Sequence, residues 1–301
     1  MNFLLNYRSI FFLIIFLSIE AYSQGIFDKM LNSPMRLKIG NSLGSGVLYN
    51  DSTNIFLITA RHVLFDELKT KVGEKNITTY QFKGDTLKML CYGFNSKTTD
   101  LMSGEYTFSI NELIKMKLVM LSYDNDIAVI HVAKFGQDKK EESREVIWMV
   151  NMPITDDSTS MDIYTTDRTY ELRNIQPGSD IFIFGYPVSL GTQKQFDVER
   201  PLLRRGIIAG RNFNNRTLIL DCTIYQGNSG GPVMMAKPIL DATRYYLVGI
   251  VTEWIPFVDT LESKSFGYKN IIAENSGLSV AVSIDEALQL IKDYYANRSI
   301  K

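Results

Sequence analysis

Short runs of β-branched and aromatic residues, each closed by glycine, asparagine or aspartate, recur along most of the chain and constrain its fold more than any other feature. Runs of this length and composition, separated by turn residues, predict β-strands. The first half contains MRLKIG, GSGVLYN, NIFLITA, TYQFKG, TLKMLCYG, KLVMLSY and DIAVIHVA, and the second half contains DIFIFGYP, LLRRGIIAG, TLILDCTIY, GPVMMA, YYLVGIVTEWI and GLSVAVS. The pattern therefore predicts an all-β fold, built as barrels or sandwiches rather than as alternating strands and helices.

Two stretches depart from this pattern. Residues 134–175 include the polar runs GQDKKEESRE and TDDSTSMD, which predict exposed loops between two β-rich halves. The final stretch predicts an α-helix, with Ser283 and Glu286 as a capping box ahead of an apolar stripe. We therefore divide the chain into a first half at 24–140, a linker or insertion at 141–176, and a second half with the terminal helix at 177–301.

The N-terminus has the features of a secretory signal peptide over residues 1–23. Arg8 precedes the apolar run IFFLIIFLSI, and the small residues Ala21 and Ser23 follow it. The run is shorter than the about 20 residues that a spanning helix needs. We therefore expect cleavage after Ser23 and a periplasmic or secreted protein with no stable membrane anchor.

Charge and cysteine content exclude two classes of protein. The formal net charge of −1 offers no basic field for nucleic acid, so we expect no nucleic-acid partner. Only two cysteines are present, Cys91 and Cys222, which is too few for a disulfide scaffold. They could pair in an exported protein, but we favour two unpaired and mostly buried thiols.

The run IYQGNSGGPV places Ser229 on a backbone with glycines on both sides. One interpretation is a tight turn in which glycine and asparagine supply positive φ angles and the serine is incidental. The other is a nucleophile, with backbone N–H groups left free to bind an oxyanion. A serine nucleophile needs a base, so the histidines of the chain decide between the two.

Only two histidines are available, His62 and His131. His62 follows the apolar run IFLITA, at a strand end where a side chain can reach a cleft. His131 lies in the middle of a strand, which indicates a structural role. Asp126 directly precedes the strand run IAVIHVA and is a better partner for His62 than Asp124, which is typical of an exposed turn.

The order of these residues separates two hydrolase types. GNSGG also satisfies the G-x-S-x-G pattern of α/β-hydrolases, but that fold needs a histidine after the serine, and none follows Ser229. The order His62, Asp126, Ser229 is the one found in chymotrypsin.

Taken together, LITARHV, DIAVI and GNSGGPV resemble the trypsin-like (chymotrypsin-fold) serine proteases. The runs GSGVLY, PGSDIFIFGYP, LLRRGIIAG and GLSVAVSIDEALQLI are similar to the bacterial HtrA/Deg branch, so the resemblance covers roughly residues 35–291. It implies two packed six-stranded antiparallel β-barrels with a C-terminal α-helix and a catalytic cleft between the barrels.

The resemblance also implies a role for each motif residue. His62 would be the general base, Asp126 would orient it, and Ser229 would attack the scissile carbonyl. The N–H groups of Gly227 and Ser229 would form the oxyanion hole. No cofactor and no metal is expected, and the substrates would be proteins or peptides.

Substrate-binding positions follow from the same resemblance. Thr223 would lie near the base of the primary specificity pocket, and its lack of charge suggests a small or apolar preference. Gly249, Val251 and Glu253 belong to the strand expected to pair with the substrate backbone. Ser279 belongs to the second wall of the pocket, expected over residues 277–281.

Several features depart from the family pattern. No PDZ domain is expected after the terminal helix, and the segments on either side of Asp126 are long. Asn228 stands where digestive members have an aspartate, so activation by a newly cut N-terminus is not expected. A catalytically degenerate binding module and an esterase with the same triad are the alternative functions, and the oligomeric state is not predicted.

Overall fold

The computed structural model describes residues 30–72, 75–94, 101–135, 146–149, 163–188, 197, 200–240, 242–263 and 265–299. The predicted signal peptide lies outside the described residues, as do the runs GQDKKEESRE and TDDSTSMD. Across the part of the chain that is described, no helix combines the length and apolar character needed to cross a membrane.

The N-terminal half is built on a nine-stranded sheet and a separate hairpin. The strands of the sheet are β1 (Pro34–Ile39), β2 (Ser42–Asn50), β3 (Asn54–Thr59), β6 (Thr86–Phe94), β7 (Leu101–Ser109), β8 (Val119–Leu121), β9 (Ala128–Phe135), β10 (Val146–Trp148) and β11 (Tyr164–Thr165). Their order is β10-β9-β3-β2-β1-β6-β7, with β11 on β2 and β8 on β9. The separate hairpin pairs β4 (Phe65–Val72) with β5 (Lys75–Phe82), and the helices are α1 (Arg61–Leu64) and α2 (Ile110–Lys115).

The C-terminal half is a closed barrel of six strands in the order β12-β13-β14-β17-β16-β15. These strands are β12 (Asp180–Gly185), β13 (Leu202–Asn212), β14 (Thr217–Asp221), β15 (Pro232–Ile239), β16 (Ala242–Ser263) and β17 (Tyr268–Ser283). All six pairings around the barrel are antiparallel. Helix α3 (Ile284–Ser299) follows the last strand directly, so the structure confirms the predicted chymotrypsin-like all-β fold with a C-terminal helix.

Strand number in the N-terminal half differs from the expected six. The described sheet has nine strands, and their pairing does not close into a ring. Two of them, β10 and β11, come from the stretch that we interpreted as an exposed connection. Tyr164, Leu172 and Ile175 from that stretch are buried, so the stretch contains apolar core residues beside its polar runs.

Strand β3 explains how the two halves are held together. Its run NIFLIT lacks the alternation of a half-exposed strand because both of its faces are buried. Ile55 and Leu57 pack in the core of the N-terminal half, whereas Phe56 and Ile58 pack in a second core shared with the barrel. The barrel and α3 contribute Phe184, Met234, Leu247, Ile250, Ile284 and Ile291 to that shared core.

At the start of helix α3, only one of the two parts of the predicted capping box is formed. The Ser283 hydroxyl accepts a hydrogen bond from the Asp285 N–H at 3.3 Å. Glu286, however, does not return to the Ser283 N–H, which donates to the carbonyl of Arg216 instead. The Glu286 carboxylate bonds the Ser122 hydroxyl at 2.6 Å and the Arg216 guanidinium at 2.9 Å. Tertiary partners from both halves thus replace the local one.

The two cysteines are free and buried, as the sequence predicted. Burial raises the pKa of the Cys91 thiol to about 11 and also raises the pKa of Cys222. Both thiols are therefore protonated at neutral pH, which makes them poor nucleophiles.

Candidate active site

His62 projects from the short helix α1, immediately after strand β3 ends at Thr59. Its side chain is half-exposed, and the Lys83 ammonium donates to its carbonyl at 2.6 Å. The imidazole thus lies partly exposed just after a buried strand, and the hydrogen bond from Lys83 holds the His62 main chain in place.

Asp126 closes the loop before strand β9 and meets His62 twice. Its Oδ2 lies 2.5 Å from His62 Nδ1, and its Oδ1 accepts the His62 backbone N–H at 2.9 Å. The Asp126 carbonyl accepts the Arg61 N–H at 3.2 Å. Since the carboxylate is an acceptor, Nδ1 carries the hydrogen in this contact and Nε2 is left as the lone-pair nitrogen.

The charge of Asp126 is stabilised against its burial. Burial alone would raise the pKa of this carboxyl, but the hydrogen bonds and the charge of His62, together with the charge of Arg61, outweigh it. The pKa of Asp126 therefore lies below its ordinary value. The Arg61 guanidinium also donates to the carbonyls of Ser122 and Asn125, so it fixes the loop that carries the carboxylate.

Ser229 lies in a tight turn between Tyr225 and Gly231. The Asn228 N–H donates to the Tyr225 carbonyl at 3.0 Å, and the Gly231 N–H donates to the Asn228 carbonyl at 2.9 Å. The Asn228 side-chain oxygen accepts the Tyr225 N–H at 3.0 Å. The turn is held by its own backbone and by one buried amide side chain.

Two glycines make this turn conformation available. Gly227 has a φ of 98° and Gly230 a φ of 86°, both in the left-handed region that favours glycine. A Cβ atom at Gly227 would lie 2.1 Å from the Tyr186 carbonyl oxygen, and one at Gly230 would lie 1.9 Å from the Ser45 carbonyl oxygen. Conformation and space both require glycine at these positions.

The turn contains two backbone donors without a partner among the described residues. Within the described residues, neither the Gly227 N–H nor the Ser229 N–H donates a hydrogen bond. The neighbouring Gly230 N–H, by contrast, donates to the Val251 carbonyl at 2.7 Å. Paired free N–H groups beside a hydroxyl are what a developing oxyanion needs.

Ser229 and His62 line the same cleft, which has a volume of about 780 Å³. The lining on the N-terminal side consists of Arg61, His62, Phe65, Asp66, Glu67, Tyr80, Lys83 and Asp126. The lining on the C-terminal side consists of residues 224–226, Ser229 and residues 252–254. The Ser229 hydroxyl donates to the Thr252 carbonyl at 3.2 Å. The structure thus brings all three residues singled out from sequence to one cleft, with a direct hydrogen bond between His62 and Asp126.

His131 lies elsewhere. It is buried beneath helix α3, where its ring nitrogens contact the Tyr294 hydroxyl at 2.8 Å and the Ala133 carbonyl at 3.1 Å. Burial, together with the charge of Arg298, lowers the pKa of His131 to about 4 although the carbonyl of Ala133 opposes the shift. It does not line the cleft.

The predicted substrate-binding residues are only partly brought to the cleft. Glu253 lines it, whereas Thr223, Gly249, Val251 and Ser279 do not. Val251 and Ser279 are fully buried, and the Ser279 hydroxyl donates to the Cys222 carbonyl at 2.8 Å. A β-bulge between Val251 and Glu253 changes the alternation of the strand, so that residues 252–254 line the cleft while Val251 is buried.

Ser45 is a residue that the sequence analysis missed. Its N–H donates to the Ser229 carbonyl at 2.8 Å, and its hydroxyl donates to the Gly227 carbonyl at 2.8 Å. The same hydroxyl accepts the Tyr186 N–H at 3.2 Å. One buried serine of the N-terminal half therefore clamps the turn that carries Ser229. A serine in the run GSGVLY gives no signal of this role.

The cleft residues do not form a metal site. In the portion of the chain covered by the structure, no group of three or more histidine, cysteine, aspartate or glutamate side chains could hold a metal ion.

Comparisons with known proteins place the chain in a family. A family model described as a trypsin-like peptidase domain matches residues 44–237, which is more than half of the chain. Comparison with curated proteins gave no match. Among solved structures, Deg5 is 15% identical with a TM-score of 0.44, over 90% of this chain and 92% of that chain.

Two further structures are similar at the same level. The HtrA-type protease AlgW with tripeptide is 17% identical with a TM-score of 0.40, and the match covers 86% of this chain and 58% of that chain. The protease Anisep from Arthrobacter nicotinovorans is 14% identical with a TM-score of 0.39, over 83% and 88% of the two chains.

Proposed function

The chain belongs to the trypsin-like peptidase domain family, as its three sequence motifs predicted, and from this premise we propose that it is an exported serine endopeptidase. One observation carries the proposal: a hydrogen-bonded His62–Asp126 pair and Ser229, with two free N–H groups beside it, line a single cleft. The arrangement supplies a base, a nucleophile and a site for negative charge, which is the set that acyl transfer requires.

In the proposed mechanism, Ser229 first turns its hydroxyl from the Thr252 carbonyl towards His62 Nε2. We assign this movement to rotation about the Cα–Cβ bond, since catalytic hydrogen bonds are often formed only in the substrate complex. His62 then removes the hydroxyl proton as Ser229 Oγ attacks the peptide carbonyl. Asp126 stabilises the imidazolium that results, and the Gly227 and Ser229 N–H groups donate hydrogen bonds to the oxyanion.

Collapse of the tetrahedral intermediate breaks the peptide C–N bond. The imidazolium of His62 gives its proton to the departing amine, and the acyl group stays on Ser229 as an ester. Water then attacks the ester with His62 again as the base, which releases the acid and restores the Ser229 hydroxyl.

Labelling and cleavage together test this proposal. A fluorophosphonate probe should modify the protein at Ser229, as located by mass spectrometry of the labelled peptide, and Ser229→Ala should not be labelled. A peptide library should be cleaved by the wild-type chain alone. Absence of labelling would favour a degenerate binding module, and hydrolysis of activated esters without peptide cleavage would favour an esterase.

Export is proposed from the N-terminal sequence, with Arg8, the run IFFLIIFLSI and the site after Ser23 as its support. The protein expressed in a bacterial host should be recovered outside the cytoplasm with Gln24 at or near its N-terminus. Intact-mass measurement and N-terminal sequencing of the recovered protein test this. A chain that retains residues 11–17 would instead be membrane-anchored.

A further inference from the structure

One buried carboxylate connects the terminal helix to both halves of the molecule. Glu286 lies in the first turn of helix α3, and its side chain is only 10% exposed. One of its oxygens accepts the Ser122 hydroxyl of the N-terminal half at 2.6 Å, and the other meets the Arg216 guanidinium of the barrel at 2.9 Å. A buried charge is costly unless it is paired and hydrogen-bonded. Since an apolar side chain would avoid that cost, the carboxylate at this point indicates a specific role.

The partner of Glu286 in the N-terminal half begins the loop that carries Asp126. Ser122 directly follows strand β8, and its hydroxyl accepts the Asn125 N–H at 3.0 Å while it donates to Glu286. A hydroxyl has one proton, so the carboxylate fixes the direction of that proton and leaves a lone pair for Asn125. Donation to a charged acceptor also makes the hydroxyl oxygen a stronger acceptor. The contact therefore reaches the residue immediately before Asp126.

The other hydrogen bonds of this loop come from the N-terminal half. The Arg61 guanidinium donates to two carbonyls of the loop, and the Arg61 N–H donates to the Asp126 carbonyl. Both oxygens of the Asp126 carboxylate bond His62. Over the parts of the chain that the structure describes, Glu286 supplies the polar contact that ties this loop to the C-terminal half. The place of Asp126 relative to the barrel therefore depends on that contact and on packing.

Packing fixes the helix that carries the carboxylate. Ile284 and Ala287, close to Glu286 in the first turns of α3, are fully buried in the core shared by the two halves. Met120 of strand β8 packs against the same core. Because protein cores are close-packed, the helix and the strand that leads into the loop hold a fixed relation to each other. Glu286 is thus a rigid support rather than a mobile surface group.

We propose that Glu286 is a positioning residue of the catalytic site. By holding Ser122, it sets the place of Asp126 relative to the barrel. Asp126 in turn orients His62 towards Ser229. Glu286 does not line the cleft, so its effect falls on kcat rather than on substrate binding. The inference rests on the proposed peptidase function, because it concerns the geometry of the base.

Substitutions in the first turn of α3 test this role. Glu286→Ala should lower kcat for a peptide substrate by a factor on the order of 10–100 at unchanged KM, since a displacement of about 1 Å can cost about 10² in rate. Glu286→Gln keeps an oxygen that can accept the Ser122 proton, so it should restore part of the loss. Activity is counted per Ser229 titrated with a fluorophosphonate, so that unfolded protein does not contribute.

Asp285→Asn is the matched control. It removes a carboxylate charge from the same turn of α3, and that carboxylate also has a tertiary partner, the Leu172 N–H at 3.1 Å. The Asp285 carboxylate does not bond the loop of Asp126, so this variant should keep the kcat of the wild type.

A double-mutant cycle tests whether the effect passes through Asp126. In an Asp126→Asn background, Glu286→Ala should not lower the remaining rate further, because the contact that it supports has already been lost. Ser122→Ala should lower kcat as Glu286→Ala does, and the double variant should lose no more than either single variant. If Glu286→Ala does not fold, Ser122→Ala takes its place in the cycle.

Each contrary outcome has a distinct meaning. An unchanged kcat in Glu286→Ala, or an equal loss in Asp285→Asn, would overturn the inference. So would a loss confined to KM, or one that adds fully to the loss in Asp126→Asn. If the wild type cleaves no peptide, the peptidase proposal fails by itself, and proton NMR then tests the positioning role. The low-field signal of the His62 Nδ1–H should shift in Glu286→Ala and not in Asp285→Asn, and identical spectra would overturn the inference.

Discussion

The two sides of the cleft hold the proposed catalytic groups in different ways. On the N-terminal side, the Asp126 carboxylate bonds both the ring and the backbone N–H of His62, and the charge of Asp126 is part of the support. On the C-terminal side, Ser229 is placed by backbone conformation, with Gly227 and Gly230 at positive φ. The strength of polar contacts varies gradually and depends on protonation. A position fixed by steric restriction, by contrast, tolerates almost no change in side-chain size.

Ser45 couples the two kinds of support. It lies on a strand of the N-terminal half, but its hydroxyl bonds the carbonyl of Gly227 and the N–H of Tyr186 across the interface. Its own N–H bonds the carbonyl of Ser229. The position of Ser229 relative to His62 therefore depends on direct contact between the halves as well as on packing in their shared core.

The largest expected effect comes from removing either reacting group, one from each side. Ser229→Ala and His62→Ala should each lower kcat by a factor on the order of 10⁶, because base and nucleophile act as a unit. His131→Ala is the matched control and should destabilise the protein while the folded fraction keeps its activity. Peptide turnover measures the activity, and circular dichroism measures the stability. An equal activity loss in His131→Ala at unchanged stability would show that the wrong histidine was chosen.

The next effect isolates the polar support on the N-terminal side. Asp126→Asn keeps the size of the side chain but places an amide against His62 Nδ1, which favours the wrong tautomer. We expect kcat to fall by a factor on the order of 10⁴ with the fold retained. Asp124→Asn, on the same exposed loop, should have little effect. Similar losses in both variants would mean that the charge of the loop matters rather than the contact with His62.

A smaller effect on turnover is expected from the backbone support on the C-terminal side. In Gly230→Ala the new Cβ would meet the Ser45 carbonyl, which shifts the Ser229 N–H donor. We expect a loss of about 10²–10³ in kcat and a loss of about 3 kcal/mol in unfolding free energy. Gly210→Ala, where the nearest neighbour of the Cβ is Ile219 at 3.9 Å, is the matched control. Equal stability of the two variants in urea unfolding would contradict the steric argument.

The sequence could single out the residues of the proposed catalytic site because each lies in a short motif whose chemistry is local. His62 follows a strand, Asp126 precedes one, and the glycines around Ser229 indicate a turn. The cap of helix α3 was predicted for the same reason, since Ser283 bonds a residue two positions away.

What the sequence could not predict depends on distant contacts or on register. Ser45 bonds Gly227 across 182 positions, and nothing near either residue indicates it. The resemblance placed Val251 and Ser279 at the substrate site, but both are buried, and register shifts in β16 change which of its residues face the cleft. The length of the β16–β17 hairpin was missed because its charged residues interrupt the apolar pattern and Pro256 suggests a strand end.

The last prediction concerns the dependence of stability on pH, and it sharpens the comparison because the N-terminal half contains buried polar groups that titrate. His131 has its pKa lowered from 6.5 to about 4, mainly by burial. Between these values the unfolded chain binds a proton that the folded chain does not, so acidification favours unfolding. The contribution of His131 is complete above pH 6.5 and is lost as the pH falls towards 4, by an amount on the order of 3 kcal/mol. His131→Gln should lack this loss, so the difference in unfolding free energy between wild type and variant should shrink over that range.

Asp126, with a lowered pKa, loses its contribution only at lower pH, and Asp285, whose pKa burial raises, acts in the opposite direction. Both carboxyl groups are present in wild type and variant, so their effects cancel in the difference. Urea unfolding followed by tryptophan fluorescence at several pH values from 7.5 to about 4.5 measures it. A difference that is constant with pH would mean that His131 is hydrated in the folded protein, and that the polar groups beneath helix α3 do not contribute to the acid sensitivity expected of this half.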